Sequence, residues 1–482
     1  MSDLLWWNPD WSYRRKLDLF ASGITNSEVL YSFPALVKLT QDKIDYSKLG
    51  FPNSGKDIRF VDSDNVTVLD HEIETWTSGA TGVAWVRIPS VTLSPTSGSQ
   101  YIYAYYGNTG AADFQNKTGV WRNNYEAVYH LNETGADDLF YDSTANARHT
   151  DQVSGIRRYH ATGDGLNALI SYGAYCSGNS GSFISVPNIG FQNENYALEL
   201  SFYRSGPIGP QGVSVGSAEF NNNLAPLVTK GMAEGEQPGN DIQFFMGFQA
   251  SSDEHGAIFE QTGSPSSPNY SITGQGVSSD LTLYLSCTVS GGSFMSLVRH
   301  RYNVNTFNIT NKIGVGIPNT GGFQKVGIGA VFKSGVNLPE GWINGVIDEV
   351  RISNISRTTG WLAASAKSTT DRFVFFQSEV PRFVNNYQTG NARIQVNDSQ
   401  YFQTGNARIS ITNSFYQTGN ASILNSVNYY QTGNASIAAP VNFYQTGNAR
   451  IQVEGNQFFQ TGNSRIQTNS IENFQTGNSR IQ

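Results

Sequence analysis

Six histidines are the scarcest reactive groups in the chain, and they are scattered: His71, His130, His149, His160, His255 and His300. None sits in the His-Glu-x-x-His spacing that turns two imidazoles toward one zinc ion. No Gly-x-Ser-x-Gly elbow, phosphate loop or dinucleotide fingerprint accompanies them. Two carboxylates stand side by side at Asp348 and Glu349. Acid–base work on one substrate needs such groups to converge, whereas neighbours on a strand point to opposite faces. The expectation is a chain that is not an enzyme. Cys176 and Cys287 lie in apolar, strand-like text. They read as small buried hydrophobes, a single disulfide between them stays open, and their spacing supports no metal site. Trp6, Trp7 and Trp11 crowd one segment. Trp11 reads as a core anchor, while Trp6 and Trp7 suggest a sugar-stacking platform or an interface with a neighbour.

The elements that hold these residues are strands. Charged residues are 14% of 482, aromatics 12%, and there are 49 glycines. Low charge with abundant Gly, Ser, Thr and Asn describes an all-β protein with many turns. A net charge of −7 argues against nucleic acid, since phosphate binding needs a basic surface. No apolar run reaches the length of a membrane helix, so membrane insertion is not expected. The first residues, Met1-Ser2-Asp3-Leu4-Leu5-Trp6, lack the basic and apolar regions of a signal peptide. An extracellular or virion-surface location is nonetheless expected, by lysis of a host or by export without a leader.

One phrase recurs seven times near the C-terminus: aromatic-Gln-Thr-Gly-Asn-(Ala/Ser)-(Arg/Ser)-Ile, with its Gln at 388, 403, 417, 431, 445, 460 and 475. The spacing is 14 or 15 throughout, which marks a quasi-one-dimensional structure whose units pack on their neighbours. Thr-Gly-Asn is turn chemistry. The residues after it alternate, as in Ala392, Ile394 and Val396 against Arg393 and Gln395. Each unit therefore reads as strand, tight turn, strand, looser turn. The difference between 14 and 15 must fall in the looser turn, because one extra residue inside a strand would flip its buried face. The stripe expected to be buried is Tyr387, Ile394, Phe402, Ile409, Tyr416, Ile423, Tyr430, Ile437, Tyr444, Ile451, Phe459, Ile466, Phe474 and Ile481. One unit offers too few apolar groups to offset about 1–2 kcal/mol of ordering cost per residue. Units must stack. Three geometries fit: a trimeric triple β-spiral like those of viral fibre shafts, a single-chain β-solenoid, or a tail whose strands add to other subunits' sheets. All three make the chain its own partner, as a homo-oligomer, a trimer or a filament.

Residues 1–120 alternate in short strands such as Ala35-Leu36-Val37-Lys38-Leu39 and Ala84-Trp85-Val86-Arg87-Ile88, a sandwich-like domain. Trp11-x-Tyr13-Arg14, Asp57-Ile58-Arg59-Phe60, Glu72-x-Glu74-x-Trp76, Ala84-Trp85-Val86 and Tyr105-Tyr106-Gly107-Asn108 occur in the order of a bacterial and phage domain family of unknown function, which this segment resembles over residues 6–118. That family commonly precedes a laminin-G-like module. Residues 121–380 resemble such a module, a laminin-G or concanavalin-like jelly roll. The resemblance rests on Ala127-Val128-Tyr129-His130-Leu131, Tyr196-Ala197-Leu198-Glu199-Leu200-Ser201-Phe202 and the ending Gly341-Trp342-Ile343-Asn344-Gly345-Val346-Ile347-Asp348-Glu349-Val350-Arg351-Ile352. A hairpin is expected on Asn344-Gly345, then a short helix near Trp361. Phe373–Gln377 should be the jelly roll's last strand. Laminin-G-like modules often bind Ca²⁺, so the resemblance implies at most that cofactor, with Asp137, Asp138 and Asp142 in an acidic loop and Asp348 nearby as ligands. Residues 381–482 are the repeat array and contain no Lys, His, Cys, Trp or Met. The expected function is a structural protein that assembles into a fibre and displays a lectin-like domain. A carbohydrate-binding adhesin that meets surface glycans is the alternative.

Overall fold

The computed structural model describes residues 6–481. It leaves out 22–23, 25–26, 94–99, 134–138, 161–169, 171, 180, 188–193, 205–223, 232–241, 250–253, 262–268, 277–281, 302–306, 321–323, 333–338, 340, 383–385 and the connections between strands from 390 to 478. Beyond 385 it describes backbone only. The fold is β throughout, as its composition requires, and forms two compact units. One comprises Arg15–Ser378; the other joins Met1–Arg14 to Glu379–Gln482.

The larger unit begins with strands β1 (Tyr13–Leu19), β2 (Val29–Thr40), β3 (Arg59–Asp62), β4 (His71–Thr77), β5 (Thr81–Thr92) and β6 (Tyr101–Tyr106). They divide into two sheets. β2, β5 and β4 pair in that order; β1, β6 and β3 form the other sheet. Phe33, Leu36, Trp85, Phe60 and Tyr105 are each at most 2% exposed. β7 (Tyr125–Tyr129) then enters a second sandwich. Its eight-stranded sheet runs β19 (Phe307–Ile313), β18 (Phe294–Arg301), β17 (Thr282–Ser290), β12 (Asn195–Arg204), β21 (Asn344–Ser353), β10 (Tyr172–Ser177) and β9 (Arg157–His160), with β7 on β21. The facing sheet runs β16 (Asn269–Gly276), β15 (Glu254–Glu260), β14 (Phe244–Gln249), β13 (Leu224–Lys230), β20 (Val326–Ile328), β11 (Phe183–Val186) and β8 (Gln152–Ser154). One core joins them, with Leu198, Phe202, Leu285 and Ile347 from the first sheet against Ile184, Val228, Met246 and Phe259 from the second. This is a jelly-roll-like sandwich. Cys176 and Cys287 are free and buried in that core.

Two expectations for the end of the jelly roll need correction. Asn344-Gly345 is no hairpin turn: both residues lie in β21, opposite Ser177 and Cys176 of β10. Gly345 is there for space, since a Cβ would come within 2.4 Å of the Tyr203 carbonyl and 2.5 Å of the Phe202 ring. The expected helix is α2, after a single short turn α1 (Lys117–Val120). It spans Thr359–Thr369, with the Thr358 side chain capping Trp361 N, which satisfies one of the free amides of the first turn. The strand after it, β22 (Val374–Pro381), does not return to the jelly roll. It pairs with β1 and completes the N-terminal sheet in the order β22-β1-β6-β3. The aromatic residues dictate this choice. Phe373 packs on Phe33 at 5.1 Å and Phe375 stacks on Phe20 at 4.1 Å.

A buried base in the jelly roll gives the fold a pH dependence. His255 on β15 is 1% exposed, and its Nε2 has no hydrogen-bond partner among the described residues. Burial, with the Arg299 cation nearby, pushes its pKa down to about 3. Unfolding restores the ordinary value of 6.5, so the unfolded chain binds one more proton in between. The stabilisation is whole above pH 6.5 and is lost as pH falls toward 3. Within that window this residue contributes a slope of about 1.4 kcal/mol per pH unit. Urea midpoints measured near neutrality and at about pH 5 should differ less in His255→Leu than in the parent. Equal pH dependence in the two proteins would refute the assignment.

In the smaller unit, the Trp6 indole donates to the Trp11 carbonyl at 2.9 Å, the Arg14 guanidinium lies 4.9 Å from the Trp6 ring, and Trp7 packs on Trp11 at 4.7 Å. Trp11 is buried as expected. Trp6 and Trp7 are half-buried against their own segment, not an exposed pair. Arg382 donates its backbone N–H to the Ser12 carbonyl. The array contributes two parallel seven-stranded sheets. One carries the aromatic-Gln-Thr segments, from Asn386–Thr389 to Asn473–Thr476; the other carries the segments that follow each turn, from Ala392–Val396 to Ser479–Ile481. Every unit aligns with the next in register: Gln388 with Gln403, Gln403 with Gln417, Ile394 with Ile409, Ile409 with Ile423. This is a single-chain β-solenoid, one coil per repeat. Two residues always separate the two strands of a unit, as between Thr389 and Ala392 or Thr446 and Ala449. Length varies only between units, where Val396 to Tyr401 spans more than Ile411 to Phe415. The side chains of the fourteen stripe residues lie outside the described part.

Candidate functional site: a buried charge cluster between the two sandwiches

Where the N-terminal sandwich meets the jelly roll, the fold buries an unusual number of charges. Glu72 and Glu74 come from β4, His130 from the residue after β7, and Asp348, Glu349 and Arg351 from β21. Glu199 lies alongside on β12, with its carboxylate accepting from the Tyr284 hydroxyl at 2.6 Å. His130 is the centre. Its Nδ1 lies 2.6 Å from Glu349 Oε1 and 3.6 Å from Glu74 Oε2; its Nε2 lies 3.2 Å from Glu72 Oε2. Each carboxylate is held by a second group. Trp121 Nε1 and Ser143 Oγ donate to Glu72 at 2.6 and 2.8 Å. Trp85 Nε1 donates to Glu74 at 2.7 Å, and Arg351 Nη2 to Glu349 at 2.7 Å. The Arg351 guanidinium sits 4.2 Å from the Trp85 ring and 5.1 Å from the Trp121 ring, a stacked cation of the kind aromatic faces favour.

Local backbone irregularity aims these groups. β4 pairs with β5 through Ile73–Ala84 and then Thr75–Val83, so Glu74 is an extra residue. β21 pairs with β12 through Asp348–Ser201 and then Arg351–Glu199, a second bulge, at Glu349 and Val350. Glu349 has φ +56°, and so does Leu131, which follows His130. A non-glycine residue in that region costs on the order of 1–3 kcal/mol and persists where its surroundings hold it. Bulges re-aim side chains at such places. The bulge at Glu349 and Val350 interrupts the strict alternation of β21 beside Asp348.

The electrostatics follow from burial. Burial raises Glu74 well above the ordinary carboxylate range, and the Glu349 and Asp348 charges raise it further. Asp348 is raised for the same reasons, burial first and then Glu349. Burial works against the charged form of Glu349 as well, but His130 and Arg351 overcome it and hold its carboxyl at about 2. His130 is desolvated too, yet Glu349 and Glu72 hold it well above the usual imidazole value. These shifts favour the charged forms of Glu349, Glu72 and His130 and disfavour charge on Glu74 and Asp348. The His130 side chain is 7% exposed and the Glu74 side chain 0% among the described residues. What the arrangement can do is clasp two domains, or hold a cation.

Of the residues expected to bind Ca²⁺, the structure describes Asp142 and Asp348. Asp137 and Asp138 lie outside the described residues. Asp142 is 1% exposed. Its carboxylate already accepts from the amides of Val128, Thr144 and Arg148 and from the Thr144 hydroxyl, so it braces its own loop. Asp348 accepts from the Ile170 and Glu349 amides. Among the described residues, the acid and imidazole groups close enough for one ion are Glu74, His130 and Glu349; neither Asp142 nor Asp348 is in that set.

Residues 54–146 match the family described as Domain of unknown function (DUF2341). The match covers less than half of the chain, takes in Glu72, Glu74, Trp85, Trp121, His130 and Ser143, and agrees with the resemblance read from the sequence for the N-terminal segment. No curated protein matches the chain. Among solved structures, a Trypanosoma rangeli sialidase in complex with 2,3-difluorosialic acid is 9% identical, over 51% of this chain and 33% of its own, at a TM-score of 0.33. Domain 4 of AbnA, a GH43 extracellular arabinanase from Geobacillus stearothermophilus, in complex with arabinotriose, is 15% identical over 50% of this chain and 98% of its own, at 0.29. The botulinum neurotoxin serotype G binding domain is 6% identical over 50% of each chain, at 0.34. This chain spans about a third of the sialidase and half of the toxin domain.

Proposed function

We propose that this is a structural protein, without catalytic turnover, that builds an extracellular or virion-surface fibre and displays a lectin-like β domain from it. The observation that carries the reading is the register of the array. All seven coils pair in parallel with identical motif positions aligned, and the end strands of each sheet, such as Asn386–Thr389 and Asn473–Thr476, have one strand neighbour each. Such a stack has no intrinsic stopping point. A coil from a second copy fits either end by the same backbone pairing that joins the coils within the chain. The absence of turnover is supported by the buried cluster, whose acids and imidazole are enclosed by Trp85 and Trp121.

Negative-stain microscopy and solution mass of the full chain test this. Filaments or a defined oligomer with a thin repeat-built shaft are the expected result. A strict monomer at all concentrations, retained on a glycan resin through residues 121–380, would overturn assembly in favour of an adhesin.

A further inference from the structure

We propose that Glu74, His130 and Glu349 form a binding site for one divalent transition-metal ion, Zn²⁺ by ligand chemistry, that pins the N-terminal sandwich to the jelly roll. One donor atom from each residue lies within 4.8 Å of the others, the span of ligands around a shared ion. Two features separate this group from a chance meeting of acids. The first is an orphan. The Glu74 side chain is wholly buried, and its Oε1 has no hydrogen-bond partner among the described residues, although a buried polar atom left unpaired costs free energy. An ion bound by the Glu74 carboxylate removes that cost.

The second is the outer layer of contacts. Metal-binding imidazoles characteristically give their distal nitrogen to a carboxylate, which fixes the ring, and metal-binding carboxylates are themselves hydrogen-bonded. Here Glu72 takes Nε2 of His130, while Nδ1 faces Glu74 at 3.6 Å and is hydrogen-bonded to Glu349 Oε1 at 2.6 Å, through a proton that a bound ion would displace. Trp85 holds Glu74 and Arg351 holds Glu349. All three ligands are thus oriented, two of them from bulges.

The donor set selects the metal. Calcium and magnesium prefer oxygen ligands in larger numbers. One imidazole with two carboxylates in a closed site suits a compact ion of tetrahedral habit, and Zn²⁺ fits best. The three ligands come from β4, the end of β7 and β21, so the ion bridges both sandwiches. It is a clasp for the fold and independent of whether the array forms fibres.

The experiment uses the full chain without an affinity tag, refolded from denaturant with a chelator, Zn²⁺, Mn²⁺ or Ca²⁺, then desalted. Metal content by mass spectrometry and the thermal midpoint are read for each. One Zn²⁺ per chain and a raised midpoint are expected. Glu74→Gln keeps an acceptor for Trp85 but removes a charged ligand, and should weaken retention 10-fold or more; Asp151→Asn, at a surface ion pair with Lys325, should not. Cobalt substitution adds a readout that folding alone does not move: an intense visible absorption typical of four-coordinate sites, lost in Glu74→Gln. A folded parent that retains no Zn²⁺, retention of Ca²⁺ alone, or unchanged Zn²⁺ in folded Glu74→Gln would each overturn the proposal.

Discussion

Changing Ile409, Ile423 and Ile437 together to Asp should abolish the array and any fibre built on it. The three are register partners on consecutive strands of one sheet, so these backbone positions form a column with about 4.8 Å between neighbours. The alternation of the repeat assigns this column to the buried stripe. Three carboxylates there would be desolvated and would repel one another, and an unpaired buried charge costs several kcal/mol. No single coil can absorb that, because none is stable alone. Circular dichroism should show lost strand content, and microscopy should show no shaft. Tryptophan fluorescence should stay largely native, since five of the eight tryptophans lie in the larger unit, Arg15–Ser378. Arg408, Ser422 and Ser436 form the neighbouring column, assigned to the outward face. Their change to Asp is the control and should do far less. If both triple variants assemble like the parent, the array is not the assembly element.

Fragment 1–120 should fail to fold alone, while 1–382 folds without the array. The N-terminal sheet takes its last strand, β22, from beyond the jelly roll. The rest of its surroundings comes from there too. Leu36 N donates to Ser368 Oγ, Lys43 pairs with Asp371 at 2.7 Å, and Phe33 meets Trp361 and Phe373. A fragment ending at 120 leaves Phe33 and the β1 edge uncovered. Burying one such aromatic contributes about 1.5–3 kcal/mol, and domain stability is only about 5–15 kcal/mol in total. Amide exchange is the direct measurement. Fast exchange throughout fragment 1–120, with protected amides in 1–382, is the expected pattern. A cooperative transition in fragment 1–120 would show that β22 is dispensable.

The sequence reveals the strands and the array, because both rest on short-range periodicity. Alternation located β2 and β5, and the constant Thr-Gly-Asn spacing located the two strands of each repeat. Three parts were hidden by longer-range causes. Phe373–Gln377 reads as strand from its residues, but nothing local says which sheet it joins. Asn344-Gly345 has the composition of a hairpin turn, and only the closeness of Phe202 and Tyr203 explains a glycine inside a strand. The charge cluster was missed because Asp348 and Glu349 were judged by ideal alternation, which a bulge breaks. A signal was available: Glu72-x-Glu74 puts two acids close together in a low-charge chain, and Glu349-x-Arg351 does the same with opposite charges.

The route of β22 also sets the timetable of synthesis. The ribosome releases β6 long before it reaches residues 374–381. At 5–20 residues per second the first sheet waits roughly 15–55 s for its closing strand. Meanwhile β1 presents an open edge to every other nascent chain nearby. The jelly roll, whose strands are contiguous from β7 to β21, is complete earlier and is in effect nested inside its predecessor. The N-terminal sandwich of this protein is thus made first and finished late, and it is the part for which a chaperone should matter most.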